Sequence, residues 1–271
     1  MAVGRRLTVA AALTAGAVLL SGGAAQAATG VTAPRAAGAE ITVAATPAGL
    51  AGVVRPFVAP HGTLRLGAKG AAVKELQSRL RELGYVPGKL DARYGGTTQS
   101  AVWAFQKIQG IKPTSTITSR TWRALENPKA PRVLVPAGKP DRVEIDLTRQ
   151  VAVLYRSGQV RLITHISSGS GIPYCETATW QGKTQRFCGG ARTPTGDYKT
   201  TWRRSGWHRS YLGQLYNPVF FNGGIALHGA LSVPLYPASH GCVRLPMHVA
   251  AILPGLLGTG VPVHVRGRFQ R

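Results

Sequence analysis

Residues 142–166 read RVEIDLTRQVAVLYRSGQVRLITHI. Val143, Ile145 and Leu147 alternate with charged side chains. Val151, Val153 and Tyr155 follow after Arg149-Gln150, and Val160, Leu162, Thr164 and Ile166 follow the turn at Ser157-Gly158. A side-chain period of two is the signature of strands, and short turns between them make antiparallel neighbours. The stretch predicts a β-meander. Further along, Phe220-Phe221, the Asn222-Gly223-Gly224 turn and Ile225-Ala226-Leu227 predict another hairpin. Residues 142–267 therefore read as a mostly β, sandwich-like domain with one short helix near His248 to Leu257.

Toward the N-terminus the period lengthens. Val73, Leu76, Leu80 and Leu83 follow the spacing of one helical face, and Gly84 is placed to end it. A second helix is expected from a Thr97/Thr98 cap through Ala101, Val102, Phe105 and Ile108 to Gly110. A short third helix carries Trp122 and Leu125. Residues 62–127 thus form a small all-α unit, and the chain is multidomain. Pro128, Pro131, Pro136 and Pro140 mark residues 128–141 as a linker with the composition of a stiff spacer. Residues 28–61, rich in Ala, Gly, Pro, Thr and Val, read as a disordered tether.

The first 27 residues have the grammar of an export signal. Arg5 and Arg6 precede a short apolar stretch from Leu7 to Leu20, and Ala25-Gln26-Ala27 offers a cleavage site. No apolar run reaches the ~18 residues that span a bilayer, so the mature protein is expected to be secreted without a membrane span. The 271 residues carry a formal charge of +23, which implies an anionic partner or environment. Nucleic acid is disfavoured, because the arginines are scattered through both halves and form no basic stripe interleaved with aromatics. The anionic polymers and peptide carboxylates of a cell wall fit an exported chain better.

The chain has three cysteines. Cys175 and Cys188 bracket the polar stretch Glu176 to Phe187, of loop character, and are expected to pair. Closing a loop of that size is worth roughly 3 kcal/mol. Two free thiols there remain an alternative. Cys242 is the odd one out, in Ser239-His240-Gly241-Cys242-Val243-Arg244, ten residues beyond His228-Gly229. A thiol attacks as thiolate, and an imidazole in contact can take its proton and later return it to a departing amine. Gly241 lets the backbone turn sharply and aim amides at an oxyanion. Beyond Asp197 the chain has eight Lys or Arg and no Asp or Glu. That excess favours a thiolate and leaves a backbone carbonyl to orient the histidine. Duller readings stand beside this one: a buried structural thiol, or zinc held by His228, His240 and Cys242, although no fourth ligand lies at suggestive spacing. His240 is also a candidate base in place of His228. His61, His165, His208, His248 and His264 have no partners in sequence and read as surface or core residues.

Two family resemblances cover these halves. The segment with Leu66-Gly67, Gly70, Leu76-Gln77, Leu83-Gly84-Tyr85, Asp91, Tyr94-Gly95, Thr98, Ala101-Val102, Phe105-Gln106, Gly110 and Thr121-Trp122 resembles a three-helix peptidoglycan-binding domain. It departs from that pattern at Pro113-Thr114-Ser115. His228, the Ser239-to-Arg244 segment and the upstream Thr193-Pro194-Thr195-Gly196 turn resemble the L,D-transpeptidase catalytic domain. That resemblance implies Cys242 as nucleophile, His228 as general base and the Gly229 carbonyl as its orienting group. It implies an oxyanion site from amides near Ser239, His240, Gly241 and Cys242, with Arg244 stabilising the loop or binding a carboxylate. The implied reaction releases the terminal D-alanine of a peptidoglycan stem peptide and passes the acyl group to an amine, with no cofactor and no metal. An L,D-carboxypeptidase, or a wall-binding protein without activity, are the rival readings. The helical unit is expected to dock on wall polymer and to take no part in the chemistry.

Overall fold

The alternating residues from Val143 onward form β1 (Arg142–Asp146), β2 (Val151–Arg156) and β3 (Gln159–His165), antiparallel neighbours joined by tight turns. The computed structural model describes residues 57–60 and 62–270. The export signal, nearly all of the tether and His61 lie outside them.

Three helices come first: α1 (Ala71–Glu82), α2 (Gly96–Ile108) and α3 (Ser119–Glu126). Leu83 caps α1 and Gly84 follows with φ 85°, the left-handed exit that glycine takes without penalty. The expected threonine cap of α2 is absent. Gly95 holds the cap position, and the Thr98 hydroxyl is buried, accepting from Gln77 Nε2 at 3.0 Å and donating to the Pro87 carbonyl at 3.2 Å.

Beyond β3 come β4 (Tyr174–Trp180), β5 (Lys183–Gly189), β6 (Gly196–Lys199), β7 (Trp207–Ser210), β8 (Gly213–Asn222), β9 (Ile225–Ala230), β10 (Val243–Pro246), α4 (Met247–Leu256) and β11 (Pro262–Arg266). One sheet has the order β3-β2-β1-β11-β6, and a second has β10-β9-β8-β7. Their inner faces meet in a core of Val143, Ile145, Leu154, Leu162, Phe221, Leu227, Val243 and Leu245, closed by Val249, Ala250 and Leu253 of α4. Asn222 pairs with Ile225 across the Gly223-Gly224 turn, as the hairpin reading requires. The fold is thus a three-helix unit followed by a mostly β domain.

Two features differ from the sequence reading. The stretch between Cys175 and Cys188 is a two-stranded antiparallel ribbon, β4 with β5, and the two cysteines are direct cross-strand partners joined by a disulfide. Its residues are mostly exposed, so the period-two signal of a half-buried strand is missing. The tight turn at Gln181 (φ 52°) and Gly182 (φ 77°) is its sequence trace.

The second difference is the linker. The first sheet is buried on both faces, because Val153, Tyr155 and Ile163 pack into one core with Leu76, Leu80, Val102 and Phe105 of the helices. All of β1 is buried, charged residues included. Arg142 Nε meets Glu144 Oε1 at 2.7 Å, and the Glu144 carboxylate accepts the Leu134 and Val135 amides of the linker at 2.7 and 3.3 Å. The Ile163 amide donates to the Gly84 carbonyl at 2.8 Å, and His248 Nε2 donates to the Val86 carbonyl at 2.8 Å.

A buried polar chain crosses the same seam. Lys107 Nζ of α2 donates to His165 Nδ1 at 2.8 Å and to the Gln150 carbonyl at 3.1 Å. His165 Nε2 then donates to the Val233 carbonyl at 2.9 Å, in the segment between β9 and β10. Burial pulls Lys107 down to about 7. Burial, helped by Lys107, pulls His165 down to about 3.

Candidate active site

The two neighbouring parallel strands β9 and β10 bring the signature residues together. Their register pairs Arg244 with His228 and Val243 with Leu227. Leu227 and Val243 face the core, so strand alternation turns His228, Arg244 and the preceding Cys242 to the opposite face. That face floors a cleft of about 950 Å³ lined by His228, Ser239, His240, Gly241, Cys242 and Arg244 among others. The Cys242 side chain packs on Leu215, Phe220 and Ala226.

Local hydrogen bonds explain the shape of the turn before Cys242. Gly241 has φ 142°, and a Cβ there would stand 3.1 Å from the Arg192 carbonyl oxygen. The buried Ser239 hydroxyl accepts from the Gly241 amide at 3.0 Å and donates to the Cys242 carbonyl at 2.5 Å. The Thr193 hydroxyl donates to the Gly241 carbonyl at 2.6 Å and accepts from the Gly169 amide at 2.9 Å. The Thr193-to-Gly196 turn is therefore a brace for the cysteine loop. Arg244 is held through its backbone, which exchanges hydrogen bonds with Ser167 at 2.9 and 3.1 Å.

His228 is buried and its Nδ1 lies 2.9 Å from the Gly229 carbonyl. With Nδ1–H as donor, Nε2 carries the lone pair and is free to accept a proton. Burial pushes His228 down to about 4, with the Arg244 charge adding to the fall and the Gly229 bond opposing it. Burial also pushes the Cys242 thiol up, more than the Ala226 backbone and Arg244 pull it down. Desolvation thus disfavours the charged form of each group, and the Cys242 thiol donates to the Gly224 carbonyl at 3.6 Å. The thiolate that the basic composition suggested is outweighed by desolvation. Cys242 is a free thiol, and Cys175 and Cys188 are bonded to each other. Among the described residues, no three His, Cys, Asp or Glu side chains gather as metal ligands.

His240 points elsewhere. Its Nε2 lies 2.8 Å from Glu176 Oε1, and Tyr174 meets its ring edge-on at 4.5 Å. Both partners belong to the disulfide ribbon. Phe187 of the same ribbon stacks on Tyr211, at the tip of β7–β8, with centroids 4.2 Å apart. The ribbon and that tip both border the cleft, so Glu176 is a carboxylate at the site that sequence reading missed. The other described histidines have partners as well: His165 with Lys107, His248 with Val86, His264 with Asp197 and His208 with Trp202.

Comparison with known proteins adds a family to this geometry. Residues 140–265 match the L,D-transpeptidase catalytic domain, and residues 69–125 match a putative peptidoglycan binding domain. A solved L,D-transpeptidase from Xylanimonas cellulosilytica is 38% identical over 77% of this chain and 99% of its own, with a TM-score of 0.67. This chain belongs to the L,D-transpeptidase family. A further L,D-transpeptidase structure, from Stackebrandtia nassauensis, is 25% identical over 78% of this chain and 97% of its own, with a TM-score of 0.43. A search of curated proteins finds no match. Membership implies peptidoglycan as the substrate and a cell-wall or extracellular location. No helix among the described residues is long and apolar enough to cross a membrane.

Proposed function

We propose that Cys242 is the nucleophile of an L,D-transpeptidase that joins peptidoglycan stem peptides through a thioester. The observation that carries this reading is the shared cleft face of Cys242 and His228 on adjacent strands, with His228 Nδ1 committed to the Gly229 carbonyl. His228 Nε2 takes the thiol proton as Cys242 Sγ attacks the carbonyl carbon of the third stem residue. Because desolvation disfavours charge on both groups, proton transfer and attack proceed together. The oxyanion receives backbone N–H groups of the His240–Cys242 turn. The tetrahedral intermediate then collapses, the C–N bond breaks, and the imidazolium returns its proton to the departing D-alanine amine.

The thioester keeps the energy of the broken peptide bond. A side-chain amine of a second stem attacks it, losing a proton to His228, and Cys242 is regenerated. Arg244, on the same face as His228, suits a substrate carboxylate. His240 serves the ribbon contact, and Ser239 and Gly241 shape the turn. Residues 1–27 act as the export signal, and residues 62–127 hold the enzyme to wall polymer.

Intact-mass analysis with a disaccharide-tetrapeptide donor tests this directly. An adduct on the wild type, absent from Cys242→Ala and slowed by several powers of ten in His228→Ala, is expected. A dimer should appear when a second stem is added. Free tripeptide as sole product at every acceptor concentration would reassign the enzyme as an L,D-carboxypeptidase, and an adduct on Cys242→Ala would refute the nucleophile.

A further inference from the structure

A row of residues on the cleft face of the second sheet runs outward from the nucleophile. Cys242 immediately precedes the Val243–Leu227 pair, which sets it beside Ala226, and Ala226 pairs with Phe220. Phe220 in turn is hydrogen-bonded to the strand-like segment at Trp202: its amide donates to the Trp202 carbonyl at 2.9 Å, and the Thr201 amide donates to the Phe220 carbonyl at 2.8 Å. Three strand steps of about 4.8 Å set Trp202 about 14 Å from Cys242.

Trp202 is held as a platform. Its ring lies on Phe220 with centroids 3.8 Å apart and planes 11° from parallel. His208 meets both rings edge-on, at 5.5 and 5.9 Å. Even so, Trp202 stays 45% exposed and lines the same cleft as Cys242. Large apolar surface fixed in place and left uncovered inside a cleft marks a ligand contact.

We propose that Trp202 floors a sugar subsite, on which the pyranose ring bearing the donor stem peptide stacks. This inference rests on the peptide-donor reading above and extends it to the glycan. One face of a pyranose presents a patch of C–H groups, which complements the negative face of an indole. The length fits: three residues in extended form cover about 10 Å, and the short acyl group joining peptide to sugar covers the remainder of the row. Gln214, in the same cleft, offers a donor and an acceptor to the ring's polar substituents. The enzyme thus reads its donor at both ends, the sugar at Trp202 and the scissile carbonyl at Cys242.

The test compares acylation of the full-length wild type, Trp202→Ala and Trp202→Phe by free tetrapeptide and by disaccharide-tetrapeptide. A second arm measures equilibrium binding of the peptide-free disaccharide to each protein in a Cys242→Ala background. The wild type should favour the sugar-bearing donor by about fivefold to tenfold in kcat/KM, the scale of one aromatic stack. Trp202→Ala should lose that preference while keeping its rate on free tetrapeptide, and Trp202→Phe should retain part of it. Equal loss on both donors in Trp202→Ala and Trp202→Phe alike, or a wild type indifferent to the sugar, overturns the subsite. If neither donor acylates Cys242, the peptide-donor reading fails and the binding arm decides the subsite alone. Weaker disaccharide binding in Trp202→Ala then supports it, and unchanged binding refutes it.

Discussion

Removing the helical unit should unfold the catalytic domain. Val153, Tyr155 and Ile163 are 4%, 3% and 1% exposed because the helices cover them. Burying a side chain of this size is worth about 1.5–3 kcal/mol, so stripping the cover from three costs about 5–9 kcal/mol. Net stabilities of domains run about 5–15 kcal/mol, so a loss of this size removes most of the stability of a domain in the middle of that range. A chain lacking residues 57–127 should therefore show no cooperative urea transition, or one at much lower midpoint, and its Cys242 should alkylate without protection. A milder probe keeps the chain whole: Ile163→Ala should cost about 2–5 kcal/mol and lower the midpoint in step. The reasoning is refuted if the truncated protein unfolds cooperatively at the wild-type midpoint with unchanged Cys242 reactivity. That result would restore the independent helical unit which the spacer-like composition of residues 128–141 suggested.

Four further outcomes follow from the site and from the buried chain at Lys107. Alkylation of Cys242 should accelerate steadily from pH 6 to beyond pH 9, because burial raises the thiol and lowers His228. A plateau between pH 6 and 8 would instead reveal a thiolate–imidazolium pair. Stability should fall as pH drops from about 6.5 toward 4, since unfolded histidines take up protons there while His228, at about 4, and His165, at about 3, resist them. Lys107, at about 7 in place of 10.5, works in another window: only the unfolded chain holds that proton between the two values, so stability should rise with pH there, and Lys107→Met should abolish this rise in urea titrations. Thr193→Val should cost about 1–3 kcal/mol, because the Gly169 amide and Gly241 carbonyl lose their shared partner. It should slow acylation more than it slows alkylation of the thiol, and equal activity to wild type would remove Thr193 from the turn's support.

Much of this was legible in the sequence, for physical reasons that differ by element. The meander from Val143 to Ile166 and the Asn222-Gly223-Gly224 hairpin announce themselves, since each buries one face against the core and turns sharply. The helical face of Val73, Leu76 and Leu80 did the same. The ribbon from Tyr174 to Gly189 did not, because both of its faces are largely solvated and no apolar period marks it. Nor did the covering of the first sheet: Glu144 and Arg142 look like outward residues until the amides of Leu134 and Val135 arrive to satisfy the carboxylate. At the site, local chemistry put His228 and Cys242 forward, and the family resemblance added the Thr193 turn. Glu176 and Trp202 come from distant segments, and only the folded chain brings Glu176 to His240 and Trp202 into the cleft.

The connection between β9 and β10 bears on how this enzyme can change in length over generations. Parallel neighbours need a crossover of about a dozen residues or more, and residues 231–242 are close to that minimum. The segment is pinned at Val233 by His165, at Tyr236 by Ser167 and at Ala238 and Ser239 by the Ser168 carbonyl. Ahead of the first pin stands Leu231, 87% exposed. Extra residues inserted there would lengthen an outer flap while the sheet keeps His228 and Cys242 at their spacing. Deletions in the same segment have no slack to draw on and would pull the two strands out of register. A lineage carrying this architecture is free to grow the flap and reshape what enters the cleft, and is barred from shortening it.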